Sequence, residues 1–196
     1  MRRLIALEYV SIDGVTQAPG HAGEDPGGGF THGGWTGPFM EDHRRYMREA
    51  LGAMGALLLG RITYQIWASY WPTVTDPGDE IARMLNTVPK YLASTARREG
   101  SWSETTVIDD VPDQVRDLKQ QPGKDIFVMG SSGLAQSLIH NRLIDEYRLM
   151  IHPVVLGTGK RLFREDARAR TMRLIDAVTT TSGLVTLTYE PAEAGP

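Results

Sequence analysis

The chain has 196 residues and a formal net charge of −3. That is length for one substantial domain, with no global positive field to recruit nucleic acid or acidic membranes. Hydrophobic residues make up 41 % and charged residues 23 %, a balance that excludes a disordered or fibrous chain. It contains no cysteine, which rules out disulfides, a thiolate nucleophile and cysteine-ligated zinc.

The N-terminal MRRLIALEYV has the basic start of a signal peptide, but Glu8 interrupts its apolar run. A secretory core needs roughly 7–15 uninterrupted apolar residues. No stretch approaches the ~18 apolar residues of a membrane span, so a cytoplasmic protein is expected.

Arg3–Ile12 (RLIALEYVSI) reads as a first strand, closed by the Asp13-Gly14 turn signal. A glycine-rich segment follows from Pro19 to Pro38, too costly in backbone entropy for regular structure. Loops of that length are usually functional or disordered, and with Trp35 this one reads as a lid or an insertion. The next segment, FMEDHRRYMREALGAMG, places Met40, Met47, Leu51 and Met54 at helical spacing, and Gly55 is expected to end the helix.

ALLLG (Ala56–Gly60) is then a short buried strand, and helical character returns in TYQIWASYW and GDEIARMLNTV. KYLAS (Lys90–Ser94) and TTVI (Thr105–Ile108) read as brief parallel strands. DDVPDQVRDLKQQPG has an acidic cap, an early proline and a Pro-Gly stop, which mark a helix. DIFVMG is a strand feeding the helix SSGLAQSLIHNRL. DEYRLMIHPVVLG is another strand, and TMRLIDAVTTTSGLVTLTYE forms two strands around Ser182-Gly183. Strands alternating with helices predict a single α/β domain with a mostly parallel sheet, to which the terminal hairpin adds antiparallel pairing.

Three strand ends carry chemistry. At LLLGRITY a strand ends in Gly60 and a helix begins, so free backbone N–H groups and the helix dipole make an anion site. Arg61 adds a guanidinium fork and Thr63 a hydroxyl; the alternative is an ordinary turn with an exposed arginine. The same architecture recurs at Gly130, Ser131, Ser132, Gly133 and Leu134, where glycine lets a ligand approach the backbone. After KYLAS, Ser94 and Thr95 with Arg97 and Arg98 suit a ribose 2′-phosphate or are a solvated basic loop.

Other signals fail on spacing. GTGKR (Gly157–Arg161) lacks the earlier glycine and the Ser/Thr of a P-loop. His21, His32, Glu24 and Asp25 show no metal-ligand spacing, so no metal is expected. His140 and His152 have no partner that the sequence reveals, and no G-x-S-x-G elbow supports a serine hydrolase.

In order, SIDG (Ser11–Gly14), GRITY (Gly60–Tyr64), KYLAS, MGSSGLAQSLI (Met129–Ile139) and LIDEYRLMIHPVVLGTGKRLF (Leu143–Phe163) resemble the dihydrofolate reductase-like superfamily. The closest likeness is to the reductase domain of the riboflavin-biosynthesis deaminase-reductases. The resemblance implies a three-layer fold with a central mixed sheet, NADPH as hydride donor and a homodimer. It assigns Gly60, Arg61 and Thr63 to the cofactor phosphates, and Ser94, Thr95 and Arg97 to the adenosine 2′-phosphate. Gly130 to Leu134 would line the pyrophosphate and nicotinamide end.

The H-x-E…P-C-x-x-C pattern of the deaminase half does not occur in these residues, and Glu8 stands near the position of a lysine that the resemblance implies. Dihydrofolate reductases carry an acid after W-x-x-P; here WTGP is followed by Met40 at that spacing, with Glu41 and Asp42 one and two positions later. Asp42 is therefore a candidate proton donor, provided that burial raises its pKa. Asp13, at a strand's C-terminal end, is a candidate for holding the substrate's polar edge or is simply a turn-former. Trp35 is a candidate substrate contact. The implied function is an NADPH-dependent reductase of a pteridine- or pyrimidine-type heterocycle, with a non-catalytic NADPH- or flavin-binding protein as the alternative.

Overall fold

The structure is a computed structural model that describes residues 1–96, 99–163 and 169–192. Eight strands form one sheet in the order β4-β3-β2-β5-β1-β6-β8-β7. They are β1 (Leu4–Ser11), β2 (Met54–Gly60), β3 (Lys90–Ala93), β4 (Thr105–Ile108), β5 (Asp125–Met129), β6 (Glu146–His152), β7 (Met172–Thr179) and β8 (Val185–Pro191). β4 through β6 run parallel, while β8 pairs antiparallel with both β6 and β7.

The helices are α1 (Met40–Leu51), α2 (Arg61–Tyr70), α3 (Glu80–Thr87), α4 (Val111–Gln120) and α5 (Ser132–His140). They cover both faces of the sheet, and the period of two along β1 shows how. Leu4, Ala6 and Val10 pack with Val115 and Leu118 of α4 and Leu134, Leu138 and Ile139 of α5. Ile5 and Leu7 turn the other way, to Met47 and Leu51 of α1 and Ile81 and Leu85 of α3. Burial on both faces is why the central parallel strands read as nearly continuous apolar runs.

Two sequence expectations are corrected here. The helix expected to reach Gly55 ends at Leu51, and both Met54 and Gly55 belong to β2. A Cβ at Gly55 would stand 2.7 Å from the Lys124 backbone, so glycine there serves close strand approach at a register shift in the β2–β5 ladder. The buried face of α1 is His43, Met47, Ala50 and Leu51, whereas Met40 is exposed. His43, polar in the one-letter pattern, occupies an interior position that hydrophobic periodicity assigned to its neighbour.

The glycine-rich segment folds on its own small cluster of Val15, Ala18, Phe30 and Trp35. Gly34 N–H donates to Ala18 O, and the Thr36 hydroxyl donates to Pro19 O at 2.7 Å. These bonds close the loop's neck, as in compact Ω-type loops.

Candidate functional site

A cleft of about 1210 Å³ opens beyond the C-terminal ends of β2 and β5, the edge where parallel α/β sheets bind ligands. A smaller hollow of about 360 Å³ lies along the ends of β3 and β4. The two share Gly60, Arg61 and Leu134, so together they form a continuous groove.

Its floor is built from two strand-to-helix turns. Gly60 caps α2 and Ser131 caps α5, and neither helix start has a side-chain cap. The orphan N–H groups of two first turns therefore face one cleft, each with the positive end of a helix dipole. The turns touch: Gly60 N–H donates to Ser131 Oγ at 2.9 Å, and Ser131 Oγ–H donates to Thr63 Oγ1 at 2.8 Å. Glycine is required for that approach. A Cβ on Gly60 would lie 3.0 Å from the Ser131 Cβ, and Gly130 has φ +58° with Thr63 Oγ1 only 3.3 Å from its Cβ position. Gly133 faces open space.

Arg61 lines both the cleft and the smaller hollow, and Ser94 and Thr95 line the hollow. Ser94 sits where β3 stops, its N–H on Ile108 O and its Oγ accepting from Ala96 N–H. Arg97, expected beside them, lies outside the described residues. Gly60, Arg61, Thr63, Ser94, Thr95 and Gly130–Leu134, chosen from separate stretches of sequence, thus meet in one groove.

The far wall comes from the glycine-rich loop and from the GTGKR stretch. Gln17 joins them, donating to Asp25 O and Gly27 O and accepting from Lys160 N–H. Lys160 Nζ also pairs with Asp25 at 2.5 Å. Partial burial pushes the Asp25 carboxyl up, but the bonds from Lys160 and Gly27 outweigh it and the net shift is downward. Gln17, Lys160 and Arg161 were not singled out as site residues from sequence. GTGKR fails as a P-loop, and only its place in the Leu143–Phe163 stretch that carries the family resemblance offers a signal.

The remaining candidates stand outside the cleft's lining. Asp13 accepts from Ser11 Oγ at 2.7 Å and from the N–H groups of Leu156 and Gly157. The Ser11 bond and the two backbone donors lower its pKa to about 2 against a smaller effect of burial. Its geometry is that of a turn clamp joining the end of β1 to the loop after β6. Asp42 accepts from Ser182 Oγ and pairs with Arg45 at 2.7 Å; hydrogen bonds from Ser182 and Thr180 hold its pKa down. The burial needed to raise it is missing. Trp35 is buried and donates from Nε1 to Gln17 O at 2.8 Å.

Behind Trp35 lies a pair that no spacing announced. His43 Nε2 and His152 Nε2 are 2.6 Å apart across 109 residues of sequence. His152 Nδ1 donates to Met150 O at 2.8 Å, which leaves its Nε2 as acceptor for the His43 proton. Tyr9 stacks on His43 at 4.5 Å, and Trp35 and Phe39 present edges to His152. Burial lowers both histidine pKa values, that of His43 to about 4 with a further push from His152. Glu8 is also buried; burial raises its pKa, and its Oε1 has no hydrogen-bond partner among the described residues.

Among the described residues, no group of three or more His, Cys, Asp or Glu is placed to hold a metal ion. No helix among them is long and apolar enough to cross a membrane.

With this geometry in view, residues 2–186 match the family model of the RibD C-terminal domain. The chain belongs to that family. A curated relative, the uncharacterized protein YyaP of Bacillus subtilis (strain 168), is 31 % identical over 196 residues, covering 96 % of this chain and 94 % of YyaP. The uncharacterized protein YwjB of the same organism is 37 % identical over 57 residues, or 29 % of this chain and 33 % of its own.

Two solved structures share the fold. One, named for riboflavin biosynthesis, is from Shewanella sp. PV-4, with a TM-score of 0.68 and 18 % identity over 98 % of this chain and all of its own. The other is a pyrimidine reductase-like protein from Corynebacterium diphtheriae, with a TM-score of 0.63 and 16 % identity over 98 % of this chain and 93 % of its own. The chain thus has the dihydrofolate reductase-like α/β fold of a RibD C-terminal domain.

Proposed function

We propose that the groove binds NADPH and that this protein is an NADPH-dependent reductase of a pteridine- or pyrimidine-type heterocycle. One observation carries the reading: two uncapped helix starts, Arg61 and the Ser94–Thr95 strand end all open on one continuous groove. The residues fit such a cofactor. Backbone N–H groups and a guanidinium suit a pyrophosphate, hydroxyls beside Arg61 suit a 2′-phosphate, and the open space over Gly133 admits a close approach to the backbone. When bound, the nicotinamide ring supplies the hydride. This chain's own part is to orient it with Arg61 and Thr63 and to wall off water with Gln17, Asp25 and Lys160.

A second reading, a non-catalytic NADPH- or flavin-binding protein on the same fold, has one observation in its favour. Asp13, Asp25 and Asp42 are all held ionised near neutral pH, so none of them stores a proton for a reduced substrate. Exposed Leu174, Ile175 and Val178 on the edge strand β7 support a homodimer, which sedimentation would measure.

The test of the main reading is titration with NADPH and NADH by nicotinamide fluorescence, with Arg61→Ala alongside. NADPH should bind more tightly than NADH, and Arg61→Ala should weaken it about 10- to 100-fold, as for a charge-assisted contact. Turnover with pterins, pyrimidines or flavins separates the reductase from the non-catalytic binder. Failure to bind either nucleotide would refute both.

A further inference from the structure

Ser131 joins the two turns by hydrogen bonds, and its backbone is unusual. It has φ 65° and ψ 54°, the left-handed region that disfavours a residue with a Cβ. Glycine would adopt it freely, so the serine side chain has to contribute something glycine lacks. Its hydroxyl is already fully engaged within the protein: it accepts from Gly60 N–H at 2.9 Å and donates its only proton to Thr63 Oγ1 at 2.8 Å. A hydroxyl used in this way has no proton left for an anion.

Thr63 is in the opposite state. Its Oγ1 receives the Ser131 proton, and its own proton has no acceptor among the described residues. It lies in the first turn of α2 and lines the cleft. The result is a directed chain, from Gly60 N–H to Ser131 Oγ–H to Thr63 Oγ–H, whose free end is a donor at the groove. Each bond in such a chain polarises the next, which strengthens the terminal donor towards a negative acceptor.

We propose that Ser131 is a positioning residue: it leaves the nucleotide untouched and orients the Thr63 hydroxyl to donate to a phosphate oxygen. The inference rests on the NADPH reading and adds to it the division of labour between the two turns. It also accounts for the glycines at 60 and 130, since a Cβ at either would press on Ser131 or Thr63.

A double-mutant cycle on the NADPH dissociation constant tests it, using Ser131→Ala, Thr63→Val and the double variant, with thermal unfolding of each. Thr63→Val keeps the side chain's shape and removes the donor, and should weaken NADPH about tenfold or more. Ser131→Ala should weaken it several-fold, and the double variant should bind within about twofold of Thr63→Val, because the serine acts only through the threonine. Ser131→Gly relieves the backbone and should be more stable than Ser131→Ala, yet should lose at least as much affinity.

Multiplicative losses in the double variant would show that Ser131 touches the nucleotide itself and would overturn the proposal. Wild-type affinity in Ser131→Gly would overturn it too, by showing the hydroxyl to be idle. Either result leaves the NADPH reading standing, whereas a wild-type protein that binds no NADPH removes that reading and this inference with it.

Discussion

Two regions at the same edge of the sheet handle polar groups in opposite ways. At the Gly60 and Gly130 turns, donors are left without caps around an open groove. At the His43–His152 cage, two ionisable rings are sealed inside aromatic walls and bonded to each other and to Met150 O. The first arrangement is costly unless water or a ligand completes it, because backbone N–H groups need partners. The second is complete by itself, because each histidine supplies what the other lacks. The contrast separates a surface prepared for a ligand from a core that happens to be polar. It supports the proposed nucleotide site at the groove rather than at the cage.

The largest way to break this contrast is in the cage. His152→Ala leaves the His43 N–H without its acceptor and opens a hole beneath Trp35, so it should destabilise the fold by about 3–5 kcal/mol. For a chain of this size that is a fall in Tm of roughly 6–20 °C. NADPH affinity, measured well below the new Tm, should stay within about twofold of wild type. A large loss of affinity with unchanged Tm would mean that the cage belongs to the ligand site.

The pH dependence of stability sharpens the same point. The folded-state pKa of His43 is lowered to about 4 and that of His152 is also lowered, whereas an unfolded histidine titrates near 6.5. Between those values the unfolded chain binds more protons than the folded one, so stability is complete above about pH 6.5 and falls as pH drops towards 4. The loss should be on the order of 2–3 kcal/mol, read from urea unfolding at pH 7 and pH 4.5. Asp13, lowered to about 2, contributes only below the ordinary carboxylate range. Glu8, raised by burial, gains stability as pH falls through the same window, so the histidine share is read in the Glu8→Gln background. A flat profile in that background between pH 7 and 4.5 would mean that the pair is already charged or solvated.

At the groove the smallest effect is expected from Gly60→Ala. Its φ of −75° is open to alanine, so the backbone cost is slight. The new Cβ meets Ser131 at 3.0 Å and should push the two turns apart. NADPH binding should weaken about tenfold, worth about 1.4 kcal/mol, with Tm changed by only a few degrees. Unchanged affinity would show that the contact between the turns does not shape the site.

How much was legible beforehand follows from the range of the forces involved. Strand and helix order, the strand-ending glycines and the Arg61, Thr63 and Gly130–Leu134 set are local patterns, so periodicity, capping and turn chemistry disclosed them from a few neighbouring residues. Element ends were less visible: the α1–β2 boundary moved because Gly55 answers to Lys124, a residue distant in the chain. His43 was hidden by its polarity, since only a partner 109 residues away makes its burial tolerable. In sequence Asp42 reads as a candidate proton donor and Asp13 as a substrate contact or a turn-former, because composition does not say what a carboxylate is bonded to. In space Asp13 is bonded to the backbone donors of Leu156 and Gly157, and Asp42 to the hydroxyl of Ser182.

The sequence by itself determined the α/β class, the family resemblance and the residue types able to hold an anion, because those depend on short-range pattern. Only the tertiary structure decided that these residues share one groove, that Gln17 and Lys160 help to wall it, and that a serine in the left-handed region bonds its two turns together. Those facts depend on contacts between segments far apart in the chain, which exist only once the sheet has brought its strand ends side by side.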